Sequence, residues 1–374
     1  MVGVKTASRL MECPLFSAIL VVLAAICLLA TLLPLLPFAH GMVRSFDFGR
    51  LQVIGIGTLV VAAALIFGDL RGAALVATGM AAIAVGIQLV HVLRFTPFWP
   101  RQTVGFKGDV QSAATISVLA CNVKQGNRDY QKVVDLVRDC KPDIAVFMET
   151  DQGWGEALRP CLSEFHETVE QPQEDSYGMI LASRYPLRDG EVRFLLNEEV
   201  PSISCVVTLP GGRDVRVIAL HPEPPLPNRD TLGRDAEILL VAEEARDEKM
   251  PLIVTGDLND VAWSRTTRRF LRISGLLDPR QGRGLFNSFD ARYWFLRWPL
   301  DHIFHSSEFE LVTIERQRFV GSDHFPMYYC LALTGGGANE APDAPTEDDI
   351  EEADEAIKTE KSRDRPPAGT DWEE

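Results

Sequence analysis

The chain has 374 residues, enough for two ordinary domains or one large domain with additions, and 46% of it is hydrophobic against 24% charged. Its net charge of −15 is unevenly spread: residues 1–109 hold 8 Lys/Arg against 4 Asp/Glu, residues 110–334 hold 25 against 34, and residues 335–374 hold 4 against 14. This composition excludes a collagen, a small disulfide scaffold and a wholly disordered chain, and no segment has the positive excess of a protein that coats nucleic acid.

Three apolar runs come first, at residues 15–38, 51–67 and 73–93, and none contains Lys, Arg, Asp or Glu. Each is about long enough to cross a ~30 Å hydrocarbon core at ~1.5 Å per residue. Gly and Ala are dense in the second and third, as suits helices that approach closely in lipid. Lys5 and Arg9 before the first run also resemble a signal peptide, but that run is long and two more follow at short spacing. The expectation is a membrane anchor of three helices over residues 1–109, contacting the bilayer, with Gln88 and His91 at the interface or packed between helices and Trp99 in the headgroup belt. A short basic lead favours the N-terminus inside, which places the rest of the chain outside the cytoplasm. Arg44, Arg50, Arg94, Arg101 and Lys107 on the opposite side weigh against that orientation. The seven cysteines include no CxxC pair, so neither a zinc site nor a redox motif is indicated, and Cys121, Cys205 and Cys330 read as core residues.

Residues 110–334 alternate short apolar runs with amphipathic stretches. Strands are predicted at 115–123, 143–148, 179–183, 204–209, 215–220, 251–255, 302–304, 310–314 and 327–333, with Gly211-Gly212 marking a hairpin. Helices are predicted at 130–140, 235–246 and 263–273, the last ended by Gly275. This pattern points to one α/β domain. Residues 335–374 are acidic and poor in apolar side chains, so a disordered tail is expected there.

Polar residues cluster at the ends of the apolar strands: Asn122, Glu149, His221, and Asp257 and Asn259 in GDLN follow one, Asp301 precedes one, and Asp323-His324 form part of SDHFP. Strand ends of a rigid sheet can present side chains to one cleft. Carboxylates and amides suit Mg²⁺ or Mn²⁺. HExxH, a Walker loop, GxGxxG after a strand and GxSxG are all missing from the sequence. The arginines at 265, 268, 269, 272, 280 and 283 form a basic stretch, read first as a solvated helix face and second as a contact for lipid headgroups or a polyanionic substrate.

Asn122-Val123, Phe147-Met148-Glu149, Ala182-Ser183-Arg184-Tyr185-Pro186, Ala219-Leu220-His221, Gly256-Asp257-Leu258-Asn259, Leu300-Asp301-His302-Ile303 and Ser322-Asp323-His324-Phe325-Pro326 occur in this order. Together they resemble the endonuclease/exonuclease/phosphatase superfamily over roughly residues 115–335. That group includes deoxyribonucleases, abasic-site endonucleases, sphingomyelinases and inositol-polyphosphate phosphatases. The chain looks like a deoxyribonuclease-like, membrane-anchored bacterial-type member. The resemblance implies a four-layer α/β sandwich, two packed mixed β-sheets flanked by helices, behind the N-terminal transmembrane region. It implies a Mg²⁺-dependent (or Mn²⁺-dependent) phosphoesterase, nuclease-type by default. Two alternatives are a phospholipid or sphingolipid phosphodiesterase and an inactive membrane adaptor on the same fold.

The resemblance also carries roles. Glu149 is the main metal ligand, with Asn122 beside the metal or holding Glu149, and Asp323 as a second carboxylate near it. Asp257 orients or deprotonates water, and Asn259 holds a phosphate oxygen. His324 stands near the scissile phosphate with Asp301 fixing its tautomer, and His221 is an acid or phosphate binder. Some members carry another metal-site acid two residues past the position of Asn122. Lys124 stands there in this chain and favours a single metal ion.

Overall fold

The computed structural model describes residues 14–67, 71–337 and 339–370; Lys5, Arg9 and Cys13 lie outside the described residues. The apolar runs form helices α1 (Pro14–Leu32), α3 (Arg50–Phe67) and α4 (Gly72–Val92), with a short α2 (Gly41–Phe48) after the first. Spans of 22, 18 and 24 residues at these places are long and apolar enough to cross a membrane. Small side chains close their contacts: Ala24, Ala64, Ala77 and Ala81 are all buried in one cluster. Polar side chains join the same helices. The guanidinium of Arg50 donates to Gln88 Oε1 at 2.6 Å and pairs with Asp47. Gln88 Nε2 donates to Thr31 Oγ1 at 3.0 Å. Gln88 therefore packs between helices.

The chain divides into two compact units, one running to Arg94 with Pro227–Arg229, the other holding Phe95–Leu226 and everything from Asp230 onward. The boundary thus falls before residue 109. The reason is local: Gln102 Oε1 accepts from Asp278 N at 2.9 Å, Thr103 Oγ1 bonds His305 Nε2 at 2.9 Å, and Gly105 bridges Leu311.

In the second unit the strands are β1 (Thr115–Asn122), β2 (Ile144–Met148), β3 (Glu167–Gln171), β4 (Met179–Ser183), β5 (Leu187–Phe194), β6 (Pro201–Leu209), β7 (Arg213–Leu220), β8 (Leu252–Asp257), β9 (Asp301–His305), β10 (Phe309–Arg316) and β11 (Met327–Leu333). They build two mixed sheets, β10-β11-β1-β2-β4-β3 and β5-β6-β7-β8-β9. Only β1/β2 and β7/β8 pair in parallel. Period-two alternation decides the layers. Ile116, Val118 and Ala120 of β1 and Val215, Val217 and Ala219 of β7 are buried in one cluster between the sheets. The opposite face of the first sheet, with Leu119, Cys121 and Phe147, packs on helices α5 (Tyr130–Cys140) and α6 (Gln152–Leu162). The opposite face of the second, with Ile218, Leu220 and Val254, packs on α7 (Leu232–Asp247) and α8 (Arg265–Ser274). The four-layer sandwich expected from the motifs is therefore present. Strands β3 and β5 and helix α6 were not anticipated. The two strands lie at sheet edges with exposed polar residues, and α6 contains two glycines and Pro160.

The expected disordered tail is corrected. Helix α9 (Glu347–Lys361) opens with a capping box between Thr346 and Asp349 and buries Ala353 and Ile357 in the cluster with α7 and α8. Its acids face the arginines of α8. Arg272 Nη2 reaches Asp349 Oδ1 at 2.7 Å, Arg269 Nε reaches it at 3.2 Å, and Arg265 pairs with Glu352 at 2.6 Å. The basic stretch is thus partly a helix–helix contact, and Arg280 is fully buried against Asp278.

Candidate active site

The topology brings the polar strand ends to one edge of the sandwich. Asn122 closes β1 and Glu149 follows β2, its parallel neighbour. Asp257 closes β8 and pairs across with Asp301, the first residue of β9. Gly256 allows the close approach of β8 to β7 at this end: its φ is +141° and a Cβ there would lie 1.9 Å from the Leu220 carbonyl oxygen. Asp323 and His324 precede β11, and His221 follows β7. Three non-glycine residues at this edge, Lys124, Glu149 and Asn259, have left-handed backbones, with φ of 59°, 59° and 52°. Such strain collects at functional sites.

Asn122 ties the two sheets together here. Its Nδ2 donates to Glu149 Oε1 at 2.7 Å and to Asp257 Oδ2 at 3.0 Å, while its Oδ1 accepts from Lys124 N at 3.0 Å. The amide oxygen therefore faces the backbone, and Asn122 orients carboxylates. Gln125 N donates to Glu149 Oε2 at 3.3 Å. Burial, then the nearby charge of Asp323, pushes the Glu149 carboxyl up to about 7.

His324 is held between two carboxylates. Nδ1 lies 2.8 Å from Asp301 Oδ2, and Nε2 lies 3.3 Å from Asp257 Oδ2. Burial alone lowers an imidazole, but Asp257 and Asp301 together hold this one up at about 10. The two acids thus favour the charged form of the ring, with Nδ1 hydrogen-bonded to Asp301 and Nε2 turned toward Asp257. Burial, helped by Asp301, also raises the Asp257 carboxyl against the pull of His324. His221 differs: burial pushes it down to about 4, its Nε2 is 3.9 Å from Asp257 Oδ2, and its Nδ1 is buried without a partner. Asn259 N donates to Asp257 Oδ1 at 2.9 Å, and its Nδ2 donates to the Pro222 carbonyl at 2.9 Å.

Asp323 stands at the rim. Lys124 Nζ is 3.0 Å and Arg292 Nη2 3.6 Å from its Oδ2. Burial would raise this carboxyl, but His324, Lys124 and Arg292 hold it below the usual range. All eight residues singled out from the sequence thus gather at one edge. Four partners came unannounced. Phe289 packs on His324 with ring centroids 4.8 Å apart, Ser288 Oγ accepts from Asp301 N at 3.1 Å, Arg292 faces Asp323, and Tyr177 packs 5.8 Å from His221. Three of them lie in the irregular stretch between α8 and β9, where no hydrophobic period marks a position.

Among the described residues, one group has the dimensions of a metal site: ligand atoms of Asp257, Asp301 and His324 all within 4.8 Å of one another.

The model of the Endonuclease/Exonuclease/phosphatase family matches residues 119–324, more than half of the chain. The chain belongs to that family and is, with it, a metal-dependent hydrolase of phosphate-ester bonds. Among solved structures, it is similar to an endonuclease/exonuclease/phosphatase from Beutenbergia cavernae, at 19% identity and TM-score 0.48, covering 60% of this chain and 72% of that one. It is similar to D. rerio TDP2 complexed with single strand DNA product, at 14% identity and TM-score 0.49, covering 58% and 99%. It is also similar to the human Nocturnin catalytic domain with bound sulfate anion, at 17% identity and TM-score 0.48, covering 63% and 98%. A search of curated proteins finds no match.

Proposed function

We propose that this protein is a membrane-anchored, Mg²⁺-dependent phosphodiesterase, nuclease-type by default, with its catalytic unit outside the cytoplasm. The observation that carries the chemistry is the convergence of Glu149, Asp257, Asp301, Asp323 and His324 on one edge, tied by Asn122. The donor set fits a hard divalent cation. A buried carboxyl raised by burial and by a second acid is relieved when a cation replaces its proton. Glu149 would hold the ion, with Asn122 orienting its carboxylate and Asp323 bordering the place. His324 is the poorer ligand, because an imidazolium has no lone pair to offer.

Bound there, Mg²⁺ supplies neutralisation of phosphate charge. The chain's own groups do the rest. Asp257 accepts a proton from, or orients, the attacking water. His324, charged and fixed by Asp301, donates from Nε2 toward the developing charge on the phosphate. His221 is neutral and serves as a hydrogen-bonding group, and the second amide hydrogen of Asn259 points a donor at a phosphate oxygen. An inactive adaptor would have little reason to keep this set of buried acids, because each is costly without a partner.

A specific feature favours the phospholipid alternative. Tyr293, Trp294 and Phe295 are consecutive and exposed, Trp294 to 82%, and they follow Arg292, which faces Asp323. Aromatic and arginine side chains together suit the bilayer interface. The deciding assay offers the full chain plasmid DNA on one side and phospholipid and sphingomyelin vesicles on the other, across a range of salt. Nicking that weakens steeply with salt marks a nuclease. Lipid cleavage without nicking marks the phospholipid reading, and no hydrolysis of either overturns the phosphodiesterase assignment.

A further inference from the structure

Resting on the phosphoesterase reading, we propose that Lys124 supplies a fixed positive charge to the substrate phosphate where a second metal ion would otherwise sit, so that the site works with one divalent cation and one lysine. Three observations place this side chain. Its backbone is left-handed, with φ of 59°, in a residue type that seldom adopts it. That conformation is pinned from both sides: the Lys124 N–H donates to Asn122 Oδ1 at 3.0 Å, and its carbonyl accepts from the indole of Trp154 at 3.3 Å. The result aims Nζ into the site, 3.0 Å from Asp323 Oδ2, with 29% of the side chain still exposed.

The charges then exclude a second ion. The Asp323 oxygen that faces the site is already shared by Lys124 and Arg292. A divalent cation placed on it would meet the ammonium at close range. An ammonium has three donors, and Asp323 takes one. The remaining two are available to phosphate oxygens, for which lysine acts as a point charge. Asp323 is in this view a positioning residue, holding the lysine.

The test uses the full chain in detergent micelles. Calorimetric titration with Mn²⁺ should show one ion per wild-type chain and two in Lys124→Asp, which sets a carboxylate beside Asp323. With metal removed by chelator, inorganic phosphate should raise the Tm of the wild type and not of Lys124→Asn, a neutral residue that suits the left-handed backbone. With metal present, Lys124→Asn should lower kcat roughly 100-fold, the usual scale for losing one transition-state donor, and Lys124→Arg should recover most of that loss. If Lys124→Asn fails to give a cooperative melt, Lys124→Gln serves the same comparison. Two Mn²⁺ ions in the wild type overturn the proposal, as does an Asn or Gln variant with kcat within about twofold of wild type or with the phosphate shift intact. Glu149→Ala run in parallel separates the two levels. If that variant is dead while Lys124→Asn is normal, only the lysine assignment falls; if Glu149→Ala turns over normally, the phosphoesterase site falls with it.

Discussion

Asp301 sets the state of the ring beside it. Its Oδ2 accepts from His324 Nδ1, its backbone N–H is fixed by Ser288, and its Oδ1 is buried without a partner. Replacing it with Asn keeps the volume and removes the charge that, with Asp257, holds His324 protonated. Asp301→Asn should therefore lower kcat by roughly 100-fold or more while leaving the fold intact, read by steady-state kinetics beside a thermal melt. An unchanged kcat would remove the pair from the chemistry. This residue was legible in the sequence because it stands at the start of a short apolar run, and so were Asn122, Glu149, Asp257 and His324. Phe289, Ser288 and Arg292 were not, because they reach the site from a stretch whose conformation is set by tertiary contacts and carries no period. Asn122 was legible as a site residue, but the direction of its amide was not.

At the scale of elements, the clearest gap between sequence and structure is α9. Read alone, its acids and the arginines of α8 each looked like solvated charge, and their pairing is a contact between residues some eighty positions apart. Asp349 closes the capping box and meets two guanidinium groups, which hold its carboxyl well below the usual range. Asp349→Ala should cost about 1–2 kcal/mol, from the lost bond to the Thr346 N–H in the capping box and the lost contacts with Arg269 and Arg272, a Tm drop of roughly 2–8 °C that shrinks when the wild type is compared at high salt. No change in Tm would mean that α9 is not docked in solution. A catalytic fragment ending near residue 335 would strip Ala353 and Ile357 from the core, so it should aggregate where one ending at 370 does not.

Helix α7 carries a second prediction. Glu237 is fully buried with Oε1 unpartnered, and burial, with Glu223 nearby, pushes its carboxyl up to about 8. Its folded value lies above the ordinary 4.5, so the folded state holds a proton that the unfolded chain releases. Stability from this group is complete below about pH 4.5 and is lost as pH rises toward about 8. Denaturant melts of the wild type should weaken across that window, and Glu237→Gln should flatten the fall. A Gln variant with the same slope would place the titration elsewhere. In the first unit, Gln88→Leu leaves Arg50 and Thr31 without their shared partner. It should cost about 0.6–2 kcal/mol in a micelle unfolding assay, the range for interhelical polar contacts in lipid.

At the scale of the whole molecule, two kinds of order are joined in one chain. The three long apolar helices were legible from uncharged runs alone, whose length is that of a bilayer span. The sandwich was compatible with the strand pattern but needed the ordered motifs to select it, since the pairing of β11 with β1, some two hundred residues earlier, is not written in any local period. The six described cysteines are all unpaired, and only Cys140 is not buried. Among the described residues, the second unit is held by the core between the sheets and by the helix layers that cover them, α9 included.

The most direct measurement is hydrolysis by the full chain reconstituted in bilayer discs, with Mg²⁺ and with chelator, on DNA and on phospholipid, for the wild type, Glu149→Ala and His324→Ala. The expected result is Mg²⁺-dependent cleavage of one of the two substrates, lost in both variants while their melts stay cooperative. Near-normal turnover in either variant, or cleavage that persists in chelator, would contradict the site.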